Sequence, residues 1–164
     1  MGVRIVQAKE ADVPDILRFI RELASYEKLE HEVEATEEAL KTHLFGPRPA
    51  AEVVFVEDDG ERAGFALFFQ DFSTFLARPG LYLEDLYVRP EKRGRGLGKA
   101  LLTHLASLAL KRGCGRLEWW VLDWNKSAIG FYRSLGAEPM SDWTVQRVSG
   151  DALKALAGAS GKSQ

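Results

Sequence analysis

The sequence predicts a mixed α/β domain. Three observations carry this reading. The segments alternate in the order strand, helix, helix, three strands, helix, strand, helix, strand. Residues 52–71 carry a hairpin signal, with Asp58-Asp59-Gly60 as a tight turn between two apolar runs. Residues 81–122 form a strand–helix–strand unit, which places two parallel strands side by side.

The elements follow in order. Residues 3–8 alternate as a first strand. Asp12 is positioned to cap a helix that tolerates Pro14 in its first turn and repeats Val13, Ile16, Leu17, Ile20, Leu23 and Ala24 on one face. A second helix is expected from Thr36, with Glu37 and Glu38 in its first turn, to Gly46-Pro47. Strands are expected over 52–57 and 62–71, a loop over 72–80, and a strand over 81–88 stopped by Pro90. A helix over 96–112 has Leu97, Leu101, Leu105, Leu108 and Ala109 inward and ends at Gly113 and Gly115. Residues 116–122 read as a strand, Asn125 caps a short helix through Leu135, and 140–148 read as a final strand. A small helix over 151–157 closes a single domain of residues 1–157, and the small, polar 158–164 reads as a disordered tail.

Composition narrows the classes. The chain has 164 residues, 46% apolar and 28% charged, in the range of a globular protein. A net charge of -2 gives no general attraction to nucleic acid or anionic membrane, so neither is an expected partner. No apolar run reaches the length of a membrane span. The single Cys114, between two glycines, reads as structural and fits a reducing compartment; with no signal-peptide layout at Met1-Gly2-Val3-Arg4, a cytoplasmic location is expected. His31, His43, His104 and Cys114 have no metal-ligand spacing. Glu27, Glu30, Glu32, Glu34, Glu37 and Glu38 cluster early, either as a solvated helix face or as a cation-attracting rim.

The run Arg93-Gly94-Arg95-Gly96-Leu97-Gly98-Lys99 follows a strand and opens a helix. Bare N–H groups at a helix start attract phosphate, the glycines allow close approach, and the cationic flanks add charge. A diphosphate is the natural occupant. A P-loop fails twice, because Arg93 holds the first glycine position and Ala100 the hydroxyl position. A dinucleotide fingerprint fails because only Leu97 separates Gly96 from Gly98.

What does match is Arg/Gln-x-x-Gly-x-Gly/Ala after a strand, and in this the chain resembles the GNAT superfamily of acetyltransferases. Asn125, Phe131-Tyr132 and Gly136-Ala137 look like the second half of that signature. Arg21-Glu22-Leu23-Ala24-Ser25-Tyr26-Glu27, Tyr82-Leu83-Glu84-Asp85 and Asp123-Trp124-Asn125 are similar to the spermidine/spermine and thialysine acetyltransferase subgroup. The resemblance implies a central mixed sheet of about six to seven strands flanked by about four helices. It implies acetyl-CoA as cosubstrate, a homodimer, and acetyl transfer to a primary amine of a small diamine, polyamine or lysine-like molecule. Other amines (of an amino acid, antibiotic or protein) and a catalytically silent acyl-CoA-binding module are the alternatives.

An alkylamine titrates near roughly 10.4, so the site must bind an ammonium, take its proton, steady an oxyanion and protonate a thiolate. By resemblance Tyr132 is the acid, since a phenol holds its proton at neutral pH; from spacing alone it is equally a packed aromatic beside Phe131. Glu84 and Asp85 are adjacent in a strand and so should point to opposite faces. Carboxylates in an apolar strand need a partner, either a cationic ligand or an arginine of this chain. The resemblance makes Glu84 a water-relayed base and substrate ligand, Asp85 a second amine-binding group and Glu27 the ligand of a distal ammonium. It assigns main-chain groups of Leu86, Tyr87 and Val88 to pantetheine, with the oxyanion site near Leu86. It assigns the loop from Arg93 to Lys99 to the diphosphate. Asn125 is read both as a cap and as a pantetheine ligand. Trp119, Trp120 and Trp124 read as core or dimer-face residues.

Overall fold

The computed structural model describes residues 2–159. The chain divides into two compact units, Met1–Leu122 and Asp123–Gln164. In the first, five strands form one sheet in the order β1 (Val3–Gln7), β2 (Glu52–Asp58), β3 (Glu61–Ser73), β4 (Arg78–Val88) and β5 (Leu117–Trp119). The first four pair antiparallel, and β4 pairs with β5 in parallel, as the strand–helix–strand unit required. Helices α1 (Val13–Tyr26), α2 (Glu37–Phe45) and α3 (Leu97–Lys111) complete this unit.

The period-2 pattern sorts the sheet into two faces. Phe55 pairs with Phe65 and Phe65 with Tyr87, so these three share one face. Phe19 of α1 lies among them, stacked on Phe65 with centroids 5.6 Å apart and tilted against Phe55 at 6.1 Å and Tyr87 at 6.0 Å. Ile16, Leu23 and, from α2, Leu44 close this aromatic core. The opposite face, with Val54, Ala66, Phe68 and Leu83 by register, receives α3 through buried Leu97, Leu101, Leu102 and Leu105.

Helix ends follow the sequence with one exception. Thr36 Oγ1 accepts from the Ala39 N–H at 3.1 Å and caps α2 as expected. Asp12 stands at the N-cap of α1 but makes no side-chain cap. Its carboxylate accepts instead from the Lys9 N–H at 2.8 Å and pairs with Arg62 at 2.8 Å. Arg62 also reaches Asp15 at 2.7 Å and lies 4.2 Å from the Phe55 ring centroid, so a charge on β3 outbids the local cap. Cys114 is buried and its N–H donates to Ala109 at the end of α3, a structural role.

The second unit holds α4 (Lys126–Ser134) and α5 (Gly150–Ala159). Asn125 Oδ1 accepts from the Ala128 N–H at 3.2 Å and caps α4.

Several expectations need correction. No strand forms over 140–148, and the sheet has five strands among the described residues, not six to seven. A strand exists only with a ladder partner, and this segment has none, so its alternating apolar residues stay exposed. The 72–80 loop shrinks to residues 74–77 because β3 and β4 pair out to Ser73 and Arg78. The strand expected over 116–122 is only Leu117–Trp119, since its ladder with β4 ends there. Trp120 and Trp124 are exposed, which removes the core alternative for them and leaves the dimer-face one. Finally, α5 runs through Ala159, inside the expected disordered tail; residues 160–164 of that tail lie outside the described residues.

Candidate active site

A bulge in β4 builds the acidic end of the site. Leu67 pairs with Asp85 but Phe68 pairs with Leu83, so Glu84 is an extra residue in the ladder. The odd-numbered residues Leu81 and Leu83 thus belong to the α3 face, while Asp85 and Tyr87 belong to the α1 face. Simple alternation would have put Asp85 on the same face as Leu83. The bulge turns it towards the side of the sheet where α1 ends in Glu27.

Two carboxylates then act on a third. Asp85 is half-buried, and burial first, then the charges of Glu84 and Glu27, push its pKa up to about 7. Burial also raises Glu27, which stands at the C-cap of α1, where the helix dipole already disfavours a negative charge. Among the described residues, the charges that act on Asp85 are those of Glu84 and Glu27, both of its own sign. Tyr82, on the same strand, is raised by burial and by Glu84, Glu118 and Asp71, which makes this part of the sheet anionic.

Past the bulge β4 loses its parallel neighbour. The β4–β5 ladder stops at Leu83 with Trp119, so residues 84–88 have β3 as their sheet neighbour and, among the described residues, no strand on the other edge. Main-chain groups of Leu86 and Tyr87 lie along that edge. The Val88 carbonyl accepts from Arg93 Nε at 2.9 Å.

The glycine loop joins this edge to α3. Gly94 and Gly96 have φ of 78° and 79°, a left-handed conformation that glycine adopts without strain. A Cβ at either position would project into open space. Gly96 is the N-cap of α3 and no side chain caps that end, so its first N–H groups are left for a ligand. Leu97 is 2% exposed, which leaves only its main chain for that purpose. Arg95 pairs with Asp58 at 3.1 Å, and Arg93 is folded back onto Tyr26 and Tyr87. Gly98 is half-buried and Lys99 is exposed on the first turn of α3. The residues present fit a diphosphate through main-chain donors more than through arginine side chains.

Tyr132 belongs to α4 in the second unit, its ring 5.6 Å from that of Phe131. Asn125 is buried there as the α4 cap. Sequence reasoning missed the bulge, which no local signal at Glu84 marks, and the tie between Arg93 and Tyr26. An aromatic residue at the last position of α1, off its apolar stripe, was the available hint for the second.

This architecture has known counterparts. The Acetyltransferase (GNAT) family matches residues 15–137, well over half of the chain, and the chain belongs to that family. Among its relatives, the thialysine N-epsilon-acetyltransferase of Mus musculus is 40% identical over 168 residues, covering 96% of this chain and 98% of that one. The L-ornithine N5-acetyltransferase of Arabidopsis thaliana is 37% identical over 201 residues, covering 95% and 88%. Among solved structures, an integron cassette protein from the mobile metagenome of V. cholerae superposes with a TM-score of 0.80 at 28% identity, covering 96% and 98%. The protein is an N-acetyltransferase that transfers an acetyl group to an amine. A catalytically silent module is not favoured.

Proposed function

We propose that the chain transfers acetyl from acetyl-CoA to the terminal primary amine of a small molecule carrying a second positive charge. A lysine-like amino acid such as thialysine or ornithine, or a diamine or polyamine, has this chemistry. The observation that carries the reading is the half-buried Asp85 beside Glu84 and Glu27 with only like charges acting on it. A ligand with two ammonium groups suits such a cluster. The names of the two enzyme relatives support an alkylamine on an amino acid.

In this reading Glu27 and Asp85 hold the amine substrate and Glu84 takes its proton through water. Main-chain groups of Leu86, Tyr87 and Val88, together with Asn125, hold pantetheine. The loop of Gly94, Arg95, Gly96, Leu97, Gly98 and Lys99 receives the diphosphate. Tyr132 contacts the sulfur and returns a proton to the leaving thiolate. Residues 1–157 act as one catalytic domain, in keeping with a family match that crosses from the first unit into the second. The protein works as a cytoplasmic homodimer.

The test is thiol release from acetyl-CoA with a panel of thialysine, ornithine, lysine, putrescine, spermidine and propylamine. Substrates with a second positive charge should show kcat/KM higher by about ten-fold or more than propylamine, the worth of one charge-assisted contact. Equal rates for propylamine and the substrates with a second positive charge would overturn the substrate reading.

A further inference from the structure

The side chain of Arg93 has a place in the structure that its position in the glycine loop does not announce. Its Nε–H donates to the Val88 carbonyl at 2.9 Å. Its guanidinium carbon lies 4.5 Å from the ring centroid of Tyr26 and 5.8 Å from that of Tyr87. Tyr26 is the last residue of α1, and Glu27 follows it directly. The Tyr87 hydroxyl donates to Glu22 Oε1 at 3.1 Å, one turn earlier on the same helix, and Glu22 is bracketed by Arg89 and Arg18 at 3.6 Å.

From the first residue of the glycine loop, one side chain therefore touches the end of β4 and the last turn of α1. A planar cation that donates to a carbonyl and covers an aromatic face is held in a fixed orientation. Lys28, just after Glu27, has a φ of 62°, so the chain leaves α1 abruptly and the position of Glu27 depends on how the last helical turn is held.

We propose that Arg93 is a positioning residue for the amine end of the site: through Tyr26 it fixes the last turn of α1, and with it the placement of Glu27. It acts through Tyr26 and does not serve as a phosphate ligand. The proposal rests on the reading that Glu27 meets the second positive charge of the substrate.

The experiment compares Arg93→Gln, Arg93→Lys, Tyr26→Leu, Tyr26→Phe, the double variant Arg93→Gln/Tyr26→Leu, and Glu27→Gln. The readouts are KM and kcat with thialysine and with propylamine, and the acetyl-CoA Kd by calorimetry. Arg93→Gln and Tyr26→Leu should each raise the thialysine KM about three- to five-fold, the scale of one exposed cation–aromatic contact. Each should leave kcat, the propylamine KM and the acetyl-CoA Kd within about two-fold of wild type. Tyr26→Phe keeps the ring and should stay near wild type. Arg93→Lys should not restore the wild-type KM, because an ammonium lacks the planar face. The double variant should be no worse than either single change, since both remove one contact.

An acetyl-CoA Kd raised ten-fold or more by Arg93→Gln, with Tyr26→Leu without effect on it, would make Arg93 a phosphate ligand and overturn the proposal. Multiplying KM effects in the double variant would overturn it as well. Glu27→Gln separates the two levels. If it leaves the preference for thialysine intact, the substrate reading has failed; if it abolishes that preference while Arg93→Gln does not, the Arg93 proposal alone has failed.

Discussion

Asp85 shows how a single residue couples function to stability. Its pKa in the folded chain is pushed up from 3.8 to about 7 by burial and by Glu84 and Glu27. Between those values the folded chain binds a proton that the unfolded chain releases. Stability therefore falls as pH rises from 3.8 to about 7 and is level above that. Asp85→Asn removes the term. It should stabilise the protein at pH 8 by on the order of 2 kcal/mol and have little effect at pH 4, read from urea unfolding at the two values. A dication in the pocket should lower that pKa, so its binding at pH 7 should release protons, measurable by calorimetry in buffers of different ionisation enthalpy. Tyr132 is tested by its hydroxyl alone: Tyr132→Phe should reduce kcat by roughly two to four orders of magnitude, the range for a lost general acid, with the acetyl-CoA Kd nearly unchanged. Turnover near wild type would leave Tyr132 as the packing partner of Phe131.

At the scale of elements, the glycine loop and the bulge do different work. The loop is local in origin: left-handed φ at Gly94 and Gly96 and an uncapped α3 start follow from residue types in sequence. Gly96→Val should weaken acetyl-CoA binding by at least about a hundred-fold, because the new side chain fills the space above the loop and strains the left-handed backbone. Circular dichroism on the same variant should show the fold retained, and calorimetry an affinity lost; an unchanged affinity would remove the loop from the donor site. The bulge at Glu84 is non-local. It exists because β3 and β4 keep register on both sides of it while one strand carries one more residue than the other. Alternation within β4 predicted Glu84 and Asp85 on opposite faces without showing which face each would take, and only the pairing with Leu67 assigns Asp85 to the face of α1.

For the whole molecule, the exposed apolar residues of the second unit are the outstanding feature. Met140, Trp143, Val145, Val148, Leu153 and Leu156 are all largely exposed in a single chain. If the protein works as the proposed homodimer, a second copy would cover these residues. Sedimentation at micromolar concentration should give twice the 18.3 kDa chain mass, and removal of residues after 137 should give a monomer. A full-length monomer under those conditions would refute the homodimer reading.

The sequence by itself determined the mixed α/β class, the parallel β4–β5 pair, the capped starts of α2 and α4, and the glycine loop that opens α3. Each depends on contacts within a few residues or on a short-period pattern, where residue type and spacing suffice. Tertiary structure alone decided the register shift that carries Asp85 to Glu27, the recruitment of Asp12 by Arg62, the stacking of Arg93 on Tyr26, and the absence of a strand over 140–148. These depend on partners that lie far along the chain, as Asp12 and Arg62 do, or on a partner strand that must be present before a ladder can form. The local pattern is the same whether or not that partner arrives, so the chain's own periodicity cannot distinguish the two outcomes.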